Sequence, residues 1–472
     1  MTMEKALPEG WVGCELNDAA SIITKGTTPT TAGFQYTESG IPFIKVENIN
    51  DGGIDHSSIV QFISSDAHTA LKRSQFVEGD ILFSIAGTIG KTALVKNTDL
   101  PANTNQAVAI IRNTQSAFVD RFLRYQLKLS ADEIQKSKAR GGAMNNISLG
   151  DLKGVIVPLP PLAEQQVIAD TLDALLAQVE TTKTRLERVP ETIKRFRQSV
   201  LAAAVSGKLT EEWREINASN YPFNMEPLGN LIDEMRNGLS AKPNETGSGF
   251  PILRISSVRS FLVDQSDIRF LEVTDSEVSR YCLKKGDLLF TRYNGSLEFV
   301  GVCGLIENLE FNVLLYPDKL IRVRVDQKKI LPKYLEIFSA SFQAREYIES
   351  LIKSTSGQKG ISGKDLKLLK VSLPSLEEQA QIVRRVEELF AHADAVEQQA
   401  KAALEKVNNL TQSILAKAFR GELTADWRAA NPELISGENS AEALLARIKE
   451  ERAAQKPKKR ATTRRKKKAV SD

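Results

Sequence analysis

The sequence contains few of the residues that most often build metal or catalytic centres. Its 472 residues include only three cysteines and three histidines, and aromatic residues make up 6%. The cysteines, at positions 14, 282 and 303, lie far apart and form no CxxC pair, which excludes a cysteine zinc cluster and a disulfide framework. None of the histidines occurs in an HExxH spacing. We therefore expect no metal site on this chain.

Long apolar runs are missing as well. No window approaches the roughly 18 apolar residues of a membrane-spanning helix, and the first residues, MTMEKALPEGW, contain acids and a proline rather than a basic stretch followed by an apolar run. The chain has 42% apolar and 26% charged residues, which is usual for a globular protein. We expect a cytoplasmic, non-membrane protein, and the length alone suggests about three domains.

Signatures of nucleotide-dependent chemistry are incomplete. SIAGTIGKT at 84–92 resembles a phosphate-binding loop, but that motif requires a glycine where Ile85 stands. A base methyltransferase would show an Asn/Asp-Pro-Pro-aromatic motif, and the nearest match is Asn431-Pro432-Glu433. Paired carboxylates cannot be selected among 59 acidic residues from sequence alone. We predict a non-catalytic chain that binds no cofactor itself.

The strongest feature that is present is an internal repeat. Residues 147–217 align without a gap to residues 361–431, and 26 of the 71 positions are identical. Upstream of each copy the similarity is weaker and the alignment requires insertions. GIPFIKVENI at 40–49 corresponds to GFPILRISSV at 249–258, and EGDILF at 78–83 corresponds to KGDLLF at 285–290. The chain is therefore two half-molecules, each a variable block followed by a segment of fixed length.

The fixed segments show the heptad periodicity of a coiled coil. Prolines and a glutamate precede each helix, and Gly207 and Gly421 are expected to end them. Each helix could pack only on its own domain, but the length and the two matched copies favour an antiparallel pair. Pro190 should kink or break the first helix at a local cost of about 3 kcal/mol. The expected helix-helix positions are Ile168, Leu172, Leu175, Val179, Leu186 and Ile193, then Ile382, Val386, Leu389, Val396, Val407 and Leu410.

The variable blocks contain short β-branched runs separated by Gly, Asn and Asp, together with two helical stretches at 118–138 and 331–353. The predicted fold class is thus α/β (α+β) domains plus two long antiparallel coiled-coil helices, internally duplicated with a pseudo-two-fold axis. The predicted divisions are 1–154 and 218–368 for the variable blocks, 155–217 and 369–431 for the helical spacers, and 432–472 for a C-terminal helix and a basic, disordered tail.

Side chains that can read DNA bases occur on turns of both blocks. Arg, Lys, Asn, Gln and Ser offer the donors and acceptors that base edges require. Each residue alone could equally be a solvated turn residue, but the turns recur at matched places with unlike side chains, which favours two unlike half-sites. The candidates are Lys45, Glu47, Asn48, Lys91, Asn105 and Gln106 in the first block, and Arg254, Ser256, Ser257, Arg292, Tyr293, Asn294, Lys319 and Lys359 in the second; GGAMNN at 141–146 and SGQKG at 356–360 belong to the same set of turns.

With its duplicated LPPLAEQ and LPSLEEQ helix starts, the whole chain resembles the DNA-specificity subunit of type I restriction–modification enzymes, and SILAKAFRGELTADWR resembles the type IA subclass. The resemblance implies two target-recognition domains that read a split, asymmetric double-stranded DNA site. It also implies docking of two methyltransferase subunits and two restriction subunits. S-adenosylmethionine, ATP and magnesium would then belong to those partners, with modification at adenine N6.

Two other classes stay open at this point: a coiled-coil scaffold whose blocks bind protein, and a self-sufficient restriction enzyme, which the missing methyltransferase motifs disfavour. If the helices act as a ruler, inserting four residues after Val179 should lengthen the unspecified gap between half-sites.

The net charge of +4 arises in the tail: residues 455–472 carry nine basic groups and one acid, so the remaining chain has a net charge of −4. The tail is expected to be a solvated extension or to contact phosphates without sequence preference.

Overall fold

A computed structural model describes residues 7–50, 52–113, 117–139, 146–217, 223–244, 246–355 and 358–455. The chain forms two compact units: residues 1–184 with 405–472, and residues 185–404. Each unit therefore contains one variable block together with parts of both long helices, a division that differs from the linear one expected from the repeat. The basic tail beyond residue 455 and the stretch 140–145 lie outside the described residues.

Unit 1 is built on an antiparallel four-stranded sheet in the order Ala20–Lys25, Val108–Asn113, Ile81–Ser84, Thr92–Leu94. A second, smaller sheet has the order Asn103–Thr104, Ile41–Ile44, Phe62–Ile63, Tyr36–Thr37. Two further pairs complete the unit: Val12–Glu15 with Ile156–Leu159, and Ile49–Asn50 with Gly53–Ile54. Its helices are Leu16–Ala19, Ser65–Ala70, Asp120–Ala139, Leu149–Lys153, Leu162–Glu187, Ala425–Ala430 and Ala441–Gln455.

Unit 2 repeats this arrangement. Its four-stranded sheet has the order Ile232–Asn237, Leu320–Val325, Leu288–Thr291, Cys303–Leu305. The other strands pair as Asn224–Pro227 with Lys370–Leu373, Phe250–Leu253 with Ile268–Leu271, Val258–Arg259 with Leu262–Val263, and Gln358–Gly360 with both Tyr293–Asn294 and Lys353–Thr355. Its helices are Val189–Val205, Glu211–Ile216, Asp275–Tyr281, Pro332–Ala340, Phe342–Ser350 and Gly363–Lys367, and Leu376–Phe419 contributes to both units.

The EGDILF and KGDLLF motifs form matched turns before the central strands. Gly79 and Gly286 have φ of +84° and +91°, a conformation that favours glycine. The following aspartates are buried, and each accepts a backbone N–H from its own turn and a charged bond from the neighbouring strand: Arg112 Nε lies 2.7 Å from Asp80, and Arg324 Nε lies 2.6 Å from Asp287. These repeated residues therefore hold the sheets together.

The duplicated Glu-Gln at each helix start is also structural. Gln165 Nε2 donates to Pro160 O at 2.9 Å while its Oε1 accepts from Val119 N at 2.9 Å. Gln379 repeats both contacts, donating to Pro374 O and accepting from Leu331 N. Because both glutamines are fully buried, they fix the start of each long helix against the globular block of the same unit.

The neighbouring glutamates join each helix start to the turn that follows the other long helix. In unit 1, Glu164 accepts from Thr424 Oγ1 at 2.6 Å and from Arg428 Nη1 at 2.5 Å. In unit 2, Glu378 accepts from Thr210 Oγ1 and Arg214 Nη1, both at 2.6 Å. The start of one helix therefore lies beside the end of the other, so the two helices run antiparallel within each unit.

The predicted helix break and helix ends are present. The first long helix stops at Glu187 and resumes at Val189, because Pro190 offers no N–H to the preceding turn. The helices end at Val205 and Phe419, two residues before Gly207 and Gly421, which have φ of +79° and +69°. No helix among the described residues combines the length and the apolar character needed to cross a membrane.

Candidate nucleic-acid interface

The candidates of unit 1 gather at one end of two parallel strands. Asn103–Thr104 pairs in parallel with Phe43 and Ile44, so Lys45 and Asn105 leave the sheet side by side. Lys91 reaches the same place, because its Nζ donates to Val46 O at 3.2 Å. Gln106 is exposed there and its Oε1 accepts from Thr28 Oγ1. We name this set, formed by Lys45, Glu47, Lys91, Asn105 and Gln106, the polar edge of unit 1.

Unit 2 forms the corresponding edge from the matched strands. Leu253 N donates to Leu315 O at 2.9 Å in a parallel bridge, so Arg254 and the turn at 317–319 leave the sheet together. Arg254 is exposed and its Nε lies 3.5 Å from Asp267 Oδ1. Ser256 Oγ donates to the other oxygen of the same aspartate. Asp267 therefore orients both exposed residues of this turn.

A second group of candidates in unit 2 meets next to this turn. Arg292 N donates to Lys319 O at 2.7 Å, and Arg292 Nη1 donates weakly to Asp318 O at 3.4 Å. The Arg292 guanidinium lies 4.7 Å from the centroid of the Tyr293 ring, within the range of a cation–π contact. Lys359 pairs with Asn294 across the short sheet. The polar edge of unit 2 thus comprises Arg254, Ser256, Arg292, Tyr293, Asn294, Lys319 and Lys359.

The matched backbone in unit 1 carries different side chains. Ile85 N donates to Ala107 O at 2.8 Å and Ile147 N donates to Ile85 O, which repeat the bonds that Arg292 makes with Lys319 and Ile361. Ile85 occupies the position of Arg292, and Ala107 occupies that of Lys319. The two edges therefore share a framework, but unit 1 is apolar at two positions where unit 2 is cationic.

The candidates Asn48 and Ser257 are corrections to the sequence prediction, because both are buried. Asn48 Oδ1 accepts from Lys45 N at 2.8 Å, and its Nδ2 donates to Ser58 O at 2.9 Å. Ser257 Oγ accepts from Arg254 N and donates to Asp267 O at 2.6 Å. Their hydrogen-bonding groups are used within the fold, so they stabilise the turns and cannot present themselves to a base.

Other candidates are partly used by the fold. Asn105 Oδ1 accepts from Ala107 N at 3.0 Å, and Asn294 Oδ1 accepts from Ser296 N at 3.1 Å, so both side chains shape their own turns. The sequence prediction missed Thr28 and Asp267, which orient Gln106 and the Arg254 turn. Thr28 lies two residues after Gly26, where an added Cβ would lie 2.1 Å from Thr104 O. A glycine directly after the run SIITK, which forms most of the strand Ala20–Lys25, was the available signal for this close approach.

The helix-helix candidates differ in burial. Ile168, Leu172, Ile193, Ile382, Val386 and Val407 are buried, whereas Leu175, Val179, Leu186, Leu389 and Val396 are partly exposed. Leu410 departs from the prediction, because its side chain is 44% exposed. The less exposed positions after Val407 are Thr411, Leu415 and Ala418 instead. A straight helix drifts by about 20° per heptad relative to a 3.5-residue repeat, which moves the stripe off Leu410.

A charge network beneath the polar edge is specific to unit 2. Arg322 is 1% exposed and lies 2.8 Å from Glu234, which also binds Arg324 at 3.0 Å and Arg236 at 2.7 Å. Burial alone would raise the pKa of Glu234, but the hydrogen bond from Arg236 and the charges of the other two arginines lower it. Ile22 and Ile110 occupy the positions of Glu234 and Arg322 in unit 1. The residues that differ between the two units therefore include positions on the four-stranded sheets as well as positions on the polar edges.

Comparison with known proteins gives consistent results. A family model described as the type I restriction modification DNA specificity domain matches residues 8–191 and 228–406. The EcoKI type I restriction enzyme specificity subunit of Escherichia coli (strain K12) is 49% identical over 465 residues, covering 96% of this chain and 98% of that protein. The StySPI specificity subunit of Salmonella potsdam is 38% identical over 462 residues, with coverages of 96% and 98%.

Two solved structures are similar in fold. A chain from a type I R-M system, studied for complex assembly and conformational transition, has a TM-score of 0.64 at 20% identity and covers 88% of this chain and 99% of its own length. The HsdS subunit of Thermoanaerobacter tengcongensis has a TM-score of 0.58 at 19% identity, with coverages of 89% and 100%. At these identities the structures support the duplicated architecture and nothing finer.

Proposed function

This chain belongs to the family of type I restriction–modification DNA specificity subunits, and on that premise we propose that it binds a bipartite, asymmetric double-stranded DNA site, one half per globular block. It would dock methyltransferase and restriction subunits for N6-adenine methylation or ATP-dependent cleavage. The observation that carries the proposal is the repeated polar edge: the same turns and backbone bonds recur in both units with unlike side chains.

The charge of the edges supports DNA as the ligand. The polar edge of unit 1 contains the cations Lys45 and Lys91. The polar edge of unit 2 contains the cations Arg254, Arg292, Lys319 and Lys359. Cations on a surface that faces DNA neutralise its phosphates. Among them, Arg292 has the geometry of a base reader, because stacking on Tyr293 limits its freedom and its fork matches the O6 and N7 acceptors of guanine. The exposed Lys319 and the half-buried Lys359 suit phosphate contact.

S-adenosylmethionine, ATP and magnesium would belong to the two methyltransferase and two restriction subunits. Residues 84–92 support this division. A phosphate-binding loop joins a strand to a helix, whereas here Ile81–Ser84 leads through the turn into the antiparallel strand Thr92–Leu94. The loop therefore lacks both the required glycine and a helix N-terminus at which a nucleotide phosphate could bind.

The alternative function is a coiled-coil scaffold whose blocks bind protein, and a gel shift against randomised duplex distinguishes it. A specificity subunit in complex with its methyltransferase should select sequences, whereas a scaffold should select none. The decisive measurement is methylome sequencing of cells that express this chain with the neighbouring methyltransferase. We expect N6-methyladenine within one split motif. Methylation that requires this chain but falls on an undivided sequence would contradict the assignment of one half-site per block.

A further inference from the structure

The turns after Ile41–Ile44 and Phe250–Leu253 each contain two kinds of surface position, one that is alike in both units and one that differs. Their backbones agree: Lys45 N donates to the Asn48 side chain at 2.8 Å, and Arg254 N donates to the Ser257 side chain at 2.9 Å. The first position is cationic in both turns. The third position is exposed in both but carries unlike residues, Glu47 in unit 1 and Ser256 in unit 2.

This pattern has a physical meaning if the edges face DNA, as the proposed function requires. The phosphate backbone is the same at both half-sites, so side chains that contact it can be repeated in both units. Base edges differ between unlike half-sites, so side chains that read bases must differ. Like residues at matched positions therefore indicate phosphate contacts, and unlike exposed residues indicate base contacts.

Glu47 is the clearest case of an exposed residue that differs between the matched turns. Its side chain is 66% exposed, and its nearest ion-pair partner, Lys45 Nζ, lies 3.9 Å away. Its carboxylate makes no other recorded ion pair or hydrogen bond within the described part of the chain. A carboxylate beside phosphates is repelled, so an acid on a DNA-facing turn is favourable only where it meets a hydrogen-bond donor.

In the major groove only cytosine N4 and adenine N6 supply such donors, because guanine and thymine present acceptors there. We propose that Glu47 selects cytosine or adenine at the base that it faces within the half-site read by unit 1, by accepting a hydrogen bond from the exocyclic amino group of that base, while Lys45 and Arg254 contact phosphates. This assignment rests on the proposed function and adds the identity of a specificity residue and the class of base that it accepts.

The test compares the complex of this chain and its methyltransferase with the same complex carrying Glu47→Gln, which keeps the shape and removes the charge. Methylome sequencing should show relaxed or altered preference at one position of one half-site, with the other half unchanged. Competition between cognate and non-specific duplexes should show a loss of preference of roughly 5- to 150-fold. Glu78→Gln is the matched control. Glu78 is an exposed glutamate of the same unit that precedes strand Ile81–Ser84, whereas the turn that carries Lys91 of the polar edge follows this strand.

Lys45→Ala and Arg254→Ala complete the design. Each should weaken binding to all duplexes alike, reduce the salt slope by about one, and leave both half-sites intact. The proposal is overturned if Glu47→Gln binds all DNA more tightly with an unchanged motif, since that is how a carboxylate near phosphates would behave. A motif change in Lys45→Ala would also overturn it. If the unmodified complex methylates no split sequence, the proposed function itself fails, and this inference fails with it.

Discussion

Replacing Trp11 by Phe should destabilise unit 1 selectively. The indole Nε1 donates to Glu164 Oε2 at 2.9 Å, and both side chains are buried. The other carboxylate oxygen already accepts from Thr424 and Arg428. The phenyl ring keeps most of the apolar contact and removes the donor, so the change leaves one buried carboxylate oxygen without a partner.

Unit 2 supplies the reference state for this change. Phe223 takes the place of Trp11 there, and Arg214 lies 5.4 Å from its ring centroid, as Arg428 lies 5.9 Å from that of Trp11. Glu378 Oε2 is buried without a hydrogen-bond partner among the described residues. A phenyl ring therefore fits this framework at the cost of one hydrogen bond to a charged group, worth about 1.5–3 kcal/mol.

The expected loss of stability is thus about 2 kcal/mol, or roughly 4–8 °C in the melting temperature of a unit of this size. Because the chain has two units, a single two-state unfolding free energy is not defined. Hydrogen exchange read by mass spectrometry should instead show faster exchange in peptides covering Val12–Glu15 and Ala425–Ala430, with peptides of unit 2 unchanged. Phe223→Trp should have the opposite effect, slowing exchange in unit 2.

Two results would refute this reasoning. If the hydrogen-exchange free energies of unit 1 in Trp11→Phe lie within about 0.5 kcal/mol of those in the unmodified chain, the hydrogen bond from the indole contributes little. Equal acceleration in both units would show that the effect does not act through Glu164.

Four further measurements test unit 2 and the tail. Glu234→Ile should destabilise unit 2 by about 3 kcal/mol as read by hydrogen exchange in its peptides, because Arg322 is left buried without its carboxylate, and adding Arg322→Ile should recover part of the loss; no recovery would contradict the pairing. Since the folded pKa of Glu234 lies below 4.5, its contribution is present above that pH and is lost as the pH falls through the folded value, which acid titration of unit 2 can measure. Arg292→Lys should keep non-specific affinity but relax one guanine of a half-site in the methylome; an unchanged motif would assign Arg292 to phosphate contact. Truncation after Ala454 removes the last helical residue, Gln455, and residues 456–472, which lie outside the described part of the chain. It should flatten the salt slope of DNA binding without altering the recognised sequence, so a changed sequence would contradict a purely electrostatic tail.

The spacer helices show how far periodicity predicts packing. The heptad steps identified buried positions near the start of each helix, at Ile168, Leu172, Ile382 and Val386, where a 3.5-residue and a 3.6-residue repeat coincide. They also identified Ile193 and Val407 further along. They failed at Leu410, four heptads after Ile382, where the accumulated difference had moved the buried stripe. Pro190 was informative in sequence because its effect on the helix is local and steric.

Polar turn residues were harder to assign. Lys45, Asn48, Arg254 and Ser257 all have side chains that can bind a base, and composition does not separate those that face solvent from those that turn inward. The structure separates them, because Asn48 and Ser257 fill the donors and acceptors of their own turns. The partners of each buried side chain lie only three and ten residues away, so the way the chain folds back over its own turn decides which side chain is buried.

The sequence by itself determined the internal duplication, the class of the two blocks and the family, because the glutamate and glutamine of the repeated LPxLxEQ segment form buried joints with fixed hydrogen-bond partners. Such joints tolerate little change, so both copies remain readable. Only the tertiary structure decided which candidates share a surface. Lys45 and Asn105 leave the sheet side by side because strands about 60 residues apart pair in parallel, and strand pairing between distant segments is set by the packing of the whole unit rather than by local pattern.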